Sequence, residues 1–206
     1  VGTPTSSPFT DSNLTASTGY SYHVRAVDAA GNLSGWSNVV GATTQSGGTA
    51  CSTVNVSTAT QLTNAVNTAN GNASCSTTIL VADGTYTLSA MLAITAPSMT
   101  IKGASGDRTK VILQGDAMSS TANIKEIFYV NANNFTIENM TLQKVGWHTV
   151  QVVGENNRDN FIARNMVFRD AYEQLLKVTQ NSSNPNITSD NGLIENSLFE
   201  YTAGIG

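Results

Sequence analysis

Charged residues are scarce in this 206-residue chain. Only 12% of its residues are Asp, Glu, Lys or Arg, which is about half the share of a typical soluble domain. The formal net charge is −4, and the 10 basic residues form no stripe along the sequence. Because nucleic-acid binding needs a basic surface, no nucleic-acid partner is expected. Asn, Thr, Ser and Gly fill the polar positions instead, a composition typical of extracellular β-rich proteins.

Long apolar runs and cysteine are also scarce. No apolar run reaches the length of about 18 residues that a membrane-spanning helix needs, so no such helix is expected. The two cysteines, Cys51 and Cys75, flank a predicted helix and have no histidine cluster beside them, which makes a metal site a weak interpretation. A Cys51–Cys75 disulfide is favoured. It would indicate an oxidising compartment and stabilise the fold by about 3 kcal/mol.

Short strands separated by turns are predicted in residues 1–45. Residues 20–28 alternate in polarity and predict one strand. A turn at 30–32 and a further strand at 37–43 follow. The side chains of the first strand that would face a core are Tyr20, Tyr22, Val24 and Ala26.

The run YSYHVRAVDAAGNLSGWSN, which starts at Tyr20, resembles the last strands of a fibronectin type III domain. The resemblance implies that residues 1–45 are a partial β-sandwich with Tyr20 as its corner tyrosine. It also implies that the chain begins inside a domain and that the core of this half-sandwich is open.

A linker and a short helix are predicted next. Residues 46–50 have the Gly-, Ser- and Thr-rich composition of a flexible linker. Residues 57–71 begin with a hydroxyl N-cap and end at a glycine, which predicts a helix that covers the end of the following domain. The apolar face of this helix would consist of Leu62, Ala65, Val66 and Ala69.

Three similar segments occur in the second half of the chain. Within them Asn139, Asn165 and Asn196 recur at intervals of 26 and 31 residues (165 − 139 and 196 − 165). A period of this length indicates a solenoid. The alternating apolar residues of each coil would point inward, and each Asn would mark a bend about 4.8 Å from its counterpart. The stacked amides could then hydrogen-bond to one another as a ladder.

An apolar strand precedes each of these segments, and an earlier, looser coil runs through residues 78–86 and 99–103. Gly103 takes the ladder position in that earlier coil. The apolar pairs that mark the preceding strands are Phe128 with Val130, Val150 with Val152, and Leu176 with Val178.

A capping helix, the run ADGTYTL, the run MTIKGAS and Asn-marked coils follow one another in this order. This succession resembles the opening of pectate-lyase-like proteins, in particular chondroitinase B-like and alginate-lyase-like ones. Residues 51–206 are therefore expected to be the N-terminal coils of a right-handed parallel β-helix, an all-β fold cut at both ends. A leucine-rich or left-handed hexapeptide solenoid is the rival, but its repeats are shorter and more regular.

The resemblance also implies a polysaccharide-binding face along the first strand of each coil. The candidate substrate-binding residues are Tyr129, Trp147, Gln151 and Tyr172. Elimination on a uronic acid needs a base beside the carboxylate and a cation that neutralises it. The candidate catalytic residues are accordingly Lys177, His148 and Arg158. Hard oxygen ligands for calcium could come from Glu155, Asp159 and Glu173.

Structural interpretations compete with these roles. Lys177 and Glu173 could be solvated surface residues, and Arg158 could pair with Asp159 across a turn, worth at most about 1 kcal/mol. Two sets of outward-facing residues, each at one equivalent position in successive coils, are interpreted as structural and not catalytic. Neighbouring residues of opposite charge in such a column indicate cross-strand pairing. The two columns consist of Glu138, Arg164 and Glu195, and of Gln143, Arg169 and Glu200.

The favoured functional hypothesis is a secreted, bacterial, modular polysaccharide lyase. We expect a monomer that acts on an acidic polysaccharide, with calcium as the one cofactor considered. Two alternatives stay open: a non-catalytic cell-surface or adhesive β-helix that binds glycans, and a glycoside hydrolase on the same scaffold. The resemblance concerns the fold, which supports a class of protein and leaves the polymer open.

Overall fold

The computed structural model describes residues 11, 14–15, 18–44 and 49–202, without the side chains of residues 49–51. The chain divides into two compact units, Val1–Gly48 and Thr49–Gly206.

The first unit contains an antiparallel strand pair. Strand β1 (Gly19–Tyr22) pairs with β2 (Val40–Thr43), with Gly19 opposite Thr43. The Tyr20 hydroxyl accepts a hydrogen bond from the backbone N–H of Thr15 at 2.9 Å, which is the contact that a corner tyrosine makes.

Strand β1 is shorter than the sequence predicts. Tyr20 and Tyr22 are half-buried, but Val24 is 69% exposed and Ala26 is exposed as well. Because the core of a half-sandwich is open, this exposure does not test the inward orientation predicted for Val24 and Ala26, which stays a prediction. Beyond Tyr22 the backbone N–H groups of Val24 and Ala26 donate to serine hydroxyls, those of Ser37 and Ser34, instead of to a strand.

The predicted turn is present and is organised by Asp28. Its carboxylate accepts hydrogen bonds from the N–H groups of Ala30 and Asn32 and from the side-chain amide of Asn32. These bonds, led by the one from the Asn32 side chain, lower the pKa of Asp28. Gly31 has a φ of 87° at the tip of the turn, a value that glycine adopts without strain.

The second unit begins with an unpredicted strand and the predicted helix. Strand β3 (Thr49–Val56) precedes helix α1 (Ala59–Asn70). The Thr58 hydroxyl caps the helix by accepting from the N–H of Gln61, whose side chain accepts in return from the N–H of Ser57. This arrangement is similar to a capping box, except that the Gln61 side chain bonds to the residue before the N-cap. The predicted apolar face is confirmed, since the buried helix residues are Leu62, Ala65, Val66 and Ala69.

The rest of the unit consists of short strands in successive coils. The first coil holds β4 (Cys75–Val81), β5 (Gly84–Thr87) and β6 (Leu92–Ile94), and the second holds β7 (Met99–Gly103), β8 (Val111–Gln114) and β9 (Glu126–Val130). The later coils hold β10 (Thr136–Val145) and β11 (His148–Val152), then β12 (Ile162–Ala171) and β13 (Gln174–Val178), then β14 (Leu193–Glu195) and β15 (Leu198–Glu200). A 3-10 turn, Gly154–Asn156, follows β11.

These strands form two parallel sheets. The larger sheet has nine strands, in the order β14-β12-β10-β7-β4-β3, with β5, β8 and β15 alongside. The smaller has the order β13-β11-β9-β6. Each coil thus places its strands on those of the coil before it. The all-β prediction is confirmed: the described part of the second unit is mostly β, with one α-helix and curled parallel sheets.

The register of the strands confirms the repeat alignment. Leu142 lies opposite Phe168, which lies opposite Phe199. Ile137 lies opposite Ala163, which lies opposite Ile194. Leu142, Phe168, Ile137 and Ala163 are buried in the space enclosed by the sheets, whereas Ile194 and Phe199 in the last coil are 43% and 45% exposed. The largest fully buried side chains there include those of Phe128, Phe135, Phe168, Ile101 and Leu113.

The asparagine ladder is confirmed in one of its two rungs. All three ladder residues have left-handed backbone, with φ of 59°, 50° and 51° at Asn139, Asn165 and Asn196. The side-chain amide of Asn165 donates to Asn139 Oδ1 at 2.9 Å and to the carbonyl of Gly106 at 3.0 Å. Among the described residues, no side-chain hydrogen bond joins Asn165 to Asn196. The Asn196 carbonyl accepts from Arg108 at 2.8 Å.

A second asparagine column lies at the other end of the same strands. Asn134, Asn160 and Asn191 have φ of 58°, 61° and 57°, and Asn160 Nδ2 donates to Asn134 Oδ1 at 2.8 Å. Gly103 takes the ladder position in the earlier coil, as expected. A Cβ atom there would collide with the carbonyl oxygen of Asn139.

The two outward columns assigned to structure do pair. Arg164 forms ion pairs with Glu138 and Glu195. Arg169 pairs with Glu200 at 2.6 Å and donates to Gln143 at 3.5 Å. Each pair joins neighbouring coils across parallel strands, so these side chains support the stacking.

The predicted disulfide involves a residue whose side chain is not described. Cys75 begins β4. The side chain of Cys51 lies outside the described residues, and the Cys51–Cys75 bridge stays a prediction.

Candidate functional site

A column of polar side chains runs across the outer face of the smaller sheet. Gln151 on β11 lies opposite Tyr129 on β9 and opposite Lys177 on β13. All three are partly exposed, because their strand neighbours, such as Phe128 and Val152, alternate with them and point into the core. The three residues therefore lie side by side, one strand apart.

Two aromatic side chains flank this column. Trp147 and Tyr172 occupy the turns that lead into β11 and β13, and they are 43% and 45% exposed. Backbone hydrogen bonds from Glu173 and Gln174 to the Trp147 carbonyl stack one turn on the other. The ammonium group of Lys125 lies 5.6 Å from the centre of the Trp147 ring. The two rings thus lie where β11 and β13 begin, and the column residues Gln151 and Lys177 lie further along the same strands.

The imidazole of His148 is buried beneath this region, at 1% exposure. Its Nε2 lies 3.9 Å from a carboxylate oxygen of Glu173, and its Nδ1 has no hydrogen-bond partner among the described residues. Burial lowers the pKa of His148, the positive charge of Lys177 lowers it further, and Glu173 opposes both. An enclosed imidazole cannot touch a polymer on the surface, so the geometry argues against direct catalytic contact by His148.

Glu126 is a residue that the sequence analysis missed. It begins β9, lies opposite His148 and is 4% exposed. Burial raises the pKa of its carboxyl group, and the charge of Lys177 opposes that shift. The sequence could have indicated its burial, because Glu126 lies two and four residues before the inward residues Phe128 and Val130, and side chains of a strand alternate between its faces.

The loop after β11 holds the remaining predicted residues. The Arg158 guanidinium donates to Asn131 Oδ1 at 2.7 Å. Asp159 accepts from Asn157 at 3.1 Å and from the N–H of Asp190 at 2.8 Å. Glu155 accepts from the Thr179 hydroxyl. These side chains join neighbouring loops to one another. The predicted Arg158–Asp159 side-chain pair is absent from the described contacts.

The three predicted calcium ligands do not meet. Glu173 precedes β13, whereas Glu155 and Asp159 follow β11. Strands β11 and β13 have 5 residues each, so their two ends lie about 16 Å apart at 3.3 Å per residue. Two ligands of one calcium ion lie much closer together than that. No group of three or more His, Cys, Asp or Glu side chains in the described part of the chain is arranged to hold a metal ion. The predicted donor set therefore does not fit one ion.

Two depressions lie away from this face. One, of about 340 Å³, lies between β3 and α1 and is lined by Val54, Asn55, Asn64 and Thr68 among others. The other, of about 740 Å³, is a shallow polar groove beside Arg108 and Asn196. Neither is lined by a predicted catalytic, substrate-binding or calcium residue. In the described residues, no helix is both long enough and apolar enough to cross a membrane.

Comparisons with known proteins give short or distant similarities. No protein-family model matches the chain. It is 55% identical over 47 residues to an alpha-amylase of Niallia circulans, and 58% identical over 45 residues to exoglucanase B of Cellulomonas fimi. These matches cover 23% and 22% of this chain, and the chain spans only 4% of the length of each relative.

One solved structure is similar in fold over a larger part of the chain. It is the crystal structure of an alginate lyase from Paenibacillus sp. str. FPU-7, with a TM-score of 0.48 and 19% sequence identity. The similarity covers 74% of this chain and 59% of the lyase chain.

Proposed function

We propose that this chain is part of a secreted, modular bacterial protein that acts on an acidic polysaccharide as a monomer. In this proposal the second unit is a right-handed parallel β-helix of the pectate-lyase-like kind. The first unit is part of a fibronectin type III domain. Stacked parallel coils with asparagine at their bends support the first assignment, and the Tyr20–Thr15 hydrogen bond supports the second.

The observation that carries the proposal is the exposed column on the smaller sheet. Tyr129, Gln151 and Lys177 are in register there, and the rings of Trp147 and Tyr172 flank them. Aromatic rings present flat apolar faces to a sugar, an amide can hydrogen-bond to hydroxyl groups, and an ammonium group can pair with a uronate carboxylate. An extended acidic polymer matches this combination across several coils.

The reaction that suits this face is β-elimination. A base removes the proton beside the uronate carboxylate, a double bond forms, and the bond to the leaving sugar oxygen breaks as that oxygen takes up a proton. Lys177 is the predicted catalytic residue that is partly exposed within the column, and it can neutralise the carboxylate or act as the base. Arg158 is bound to Asn131 in the loop beyond the strand, and His148 is too deeply buried to contact the polymer.

A direct assay tests the lyase. The protein is incubated with polygalacturonate, alginate and glycosaminoglycans, each with calcium and with chelator, and the ultraviolet absorbance of the unsaturated product is followed. We expect a rise with at least one polymer, its loss in Lys177→Met, and its retention in Lys110→Met, a control far along the chain from the column. No rise with any polymer would refute the lyase. Calcium dependence stays a prediction that the chelator arm decides.

The enclosure of His148 favours one alternative, a face that binds glycans without cleaving them. With this imidazole at 1% exposure, the column has fewer groups that can transfer a proton to or from a sugar. Binding of an acidic polymer with no unsaturated product and no new reducing ends would support this alternative. New reducing ends without unsaturation would indicate a glycoside hydrolase instead.

A further inference from the structure

The sequence contains two Asn-Gly pairs, and the fold holds one of them while it leaves the other exposed. They are Asn70–Gly71 at the end of α1 and Asn191–Gly192 just before β14. In such a pair the backbone nitrogen of glycine can attack the side-chain amide of asparagine, because glycine has no side chain to obstruct the approach and its backbone turns freely. The attack requires that both residues can move into position.

The pair Asn70–Gly71 is fixed by hydrogen bonds at both reacting groups. The Asn70 amide donates to the carbonyl of Ala93 at 2.7 Å, and its oxygen accepts from two backbone N–H groups that follow β6, at 2.9 and 3.1 Å. The N–H of Gly71 donates to the carbonyl of Asn67 at 3.2 Å. The amide carbon and the nitrogen that would attack it are therefore both held in place.

The pair Asn191–Gly192 lies in an exposed bend. Both residues are exposed, and among the described residues neither the side chain of Asn191 nor the N–H of Gly192 has a hydrogen-bond partner. Asn191 is the third member of the second asparagine column. The other two members, Asn134 and Asn160, are half-buried, bond to each other and are each followed by a buried phenylalanine. The column is therefore protected at two of its positions and accessible at the third.

We propose that Asn191 is a site of spontaneous deamidation, and that isoaspartate formed there releases β14 from β12. The nitrogen of Gly192 forms a bond to Cγ of Asn191, the bond from Cγ to Nδ2 breaks, and Nδ2 leaves as ammonia with the proton of the Gly192 N–H. Water then opens the cyclic imide at either carbonyl. One opening gives aspartate, and the other gives isoaspartate, in which the main chain runs through Cγ. The reaction consumes water and releases ammonia, and it needs no other reactant.

The bend is anchored on both sides, which makes a longer main chain disruptive. On one side the N–H of Asn160 donates to the carbonyl of Asp190 at 2.8 Å, and on the other the N–H of Leu193 donates to the carbonyl of Phe161 at 2.9 Å. Isoaspartate adds one carbon atom to the main chain between these two bonds. Because the spacing of backbone atoms is fixed, β14 must then shift against β12 or lose one of the bonds.

Ageing of the whole chain tests the site. The protein is kept folded in a mildly alkaline buffer, where the attacking nitrogen loses its proton more readily, and peptide mapping by mass spectrometry follows aspartate and isoaspartate at both pairs. We expect products at Asn191 to accumulate several times faster than at Asn70, and the two rates to become similar in urea. Gly192→Ala should slow the reaction at Asn191 several-fold. Equal rates at the two pairs in the folded protein, or a rate that Gly192→Ala leaves unchanged, would overturn the proposal.

Hydrogen exchange tests the release of β14. Aged protein enriched in isoaspartate is compared with fresh protein and with Asn191→Asp, which adds the negative charge without lengthening the main chain. We expect the Leu193 amide to exchange several-fold faster in the isoaspartate form than in Asn191→Asp, and the amides of β7 to exchange alike in all three. Equal protection of Leu193 in the isoaspartate form and in Asn191→Asp would show that β14 stays in place and would refute its release.

Discussion

Single asparagines at the bends of the second unit perform two tasks. They adopt left-handed backbone, which costs most other residues about 1–2 kcal/mol, and their amides can bond to the next coil. Asn165 performs both tasks, since its amide bonds to Asn139 and to Gly106. Asn196 has the same backbone conformation with φ of 51° but makes no ladder bond among the described residues. Substitutions at the two positions can therefore distinguish the free-energy cost of the left-handed backbone from the contribution of the ladder hydrogen bond.

We predict that Asn165→Ala destabilises the second unit more than Asn196→Ala does. Both variants place alanine in left-handed backbone, but only the first leaves the Asn139 amide oxygen and the Gly106 carbonyl without their donor. The difference should be about 1–3 kcal/mol. Urea unfolding followed by circular dichroism measures it. Equal losses in the two variants would show that the ladder bond contributes nothing.

The imidazole of His148 makes the stability depend on pH. Its folded-state pKa is lowered, chiefly by burial. As pH falls through the pKa of the unfolded chain, about 6.5, the unfolded state therefore takes up a proton that the folded state refuses. Stability from this residue is present above that pH and is lost below it.

We predict that His148→Gln weakens this pH dependence. The free energy of unfolding of the wild-type protein should contain a component that declines between about pH 7 and the lowered folded pKa, and that component should be absent from the variant. Urea midpoints of both proteins at several pH values provide the comparison, with His23→Gln as the control for the other histidine. A pH dependence unchanged in His148→Gln would contradict the prediction.

Among the elements, β7 owes its place to a glycine at its end. A Cβ at Gly103 would collide with the backbone carbonyl of Asn139 in the next coil, and a backbone atom cannot move aside as a side chain can. Gly192, between coils in the same unit, would place a Cβ 3.9 Å from the nearest such atom, the Phe161 carbonyl oxygen. That is ordinary van der Waals contact.

We predict that Gly103→Ala destabilises the second unit by about 2–4 kcal/mol, because strands β7 and β10 must move apart to make room for the methyl group. The control Gly192→Ala should change stability by less than about 0.5 kcal/mol. Thermal and urea unfolding measure both. A similar loss of stability in the two variants would mean that neighbouring coils can move apart at Gly103 at little cost in free energy.

The elements that sequence could predict are those whose pattern is local or periodic. The helix face and the bends follow from spacing, and so does the register of β10 with β12. Strand β3 was missed because only Val54 and Val56 alternate there and the strand depends on β4 for its partner. The enclosure of His148 was missed although the sequence indicates it, because His148 lies at the same alternating positions as the inward residues Val150 and Val152. The stacking of the coils separates Glu173 from Glu155, although their spacing in sequence is short.

For the whole molecule, a net charge of −4 opposes an acidic polymer at long range. Binding on the smaller sheet then depends on a local cation, and the column offers Lys177 with uncharged partners, Tyr129 and Gln151. The flanking ring of Trp147 is 43% exposed and contributes apolar contact. The electrostatic attraction and the apolar contact therefore come from different residues. Salt screens only the electrostatic attraction.

We predict that the two contributions separate in the salt dependence of binding. The affinity of the wild-type protein for polygalacturonate should fall as salt increases, because the pairing of Lys177 with uronate carboxylates is screened. Lys177→Met should bind more weakly at low salt and lose most of that dependence. Trp147→Ala should bind more weakly at every salt concentration and keep the wild-type slope. Calorimetry over a salt series measures both, with Lys110→Met as the charge-matched control. If Lys177→Met keeps the wild-type slope, the cation that meets the polymer is another residue and the proposed binding face is misplaced.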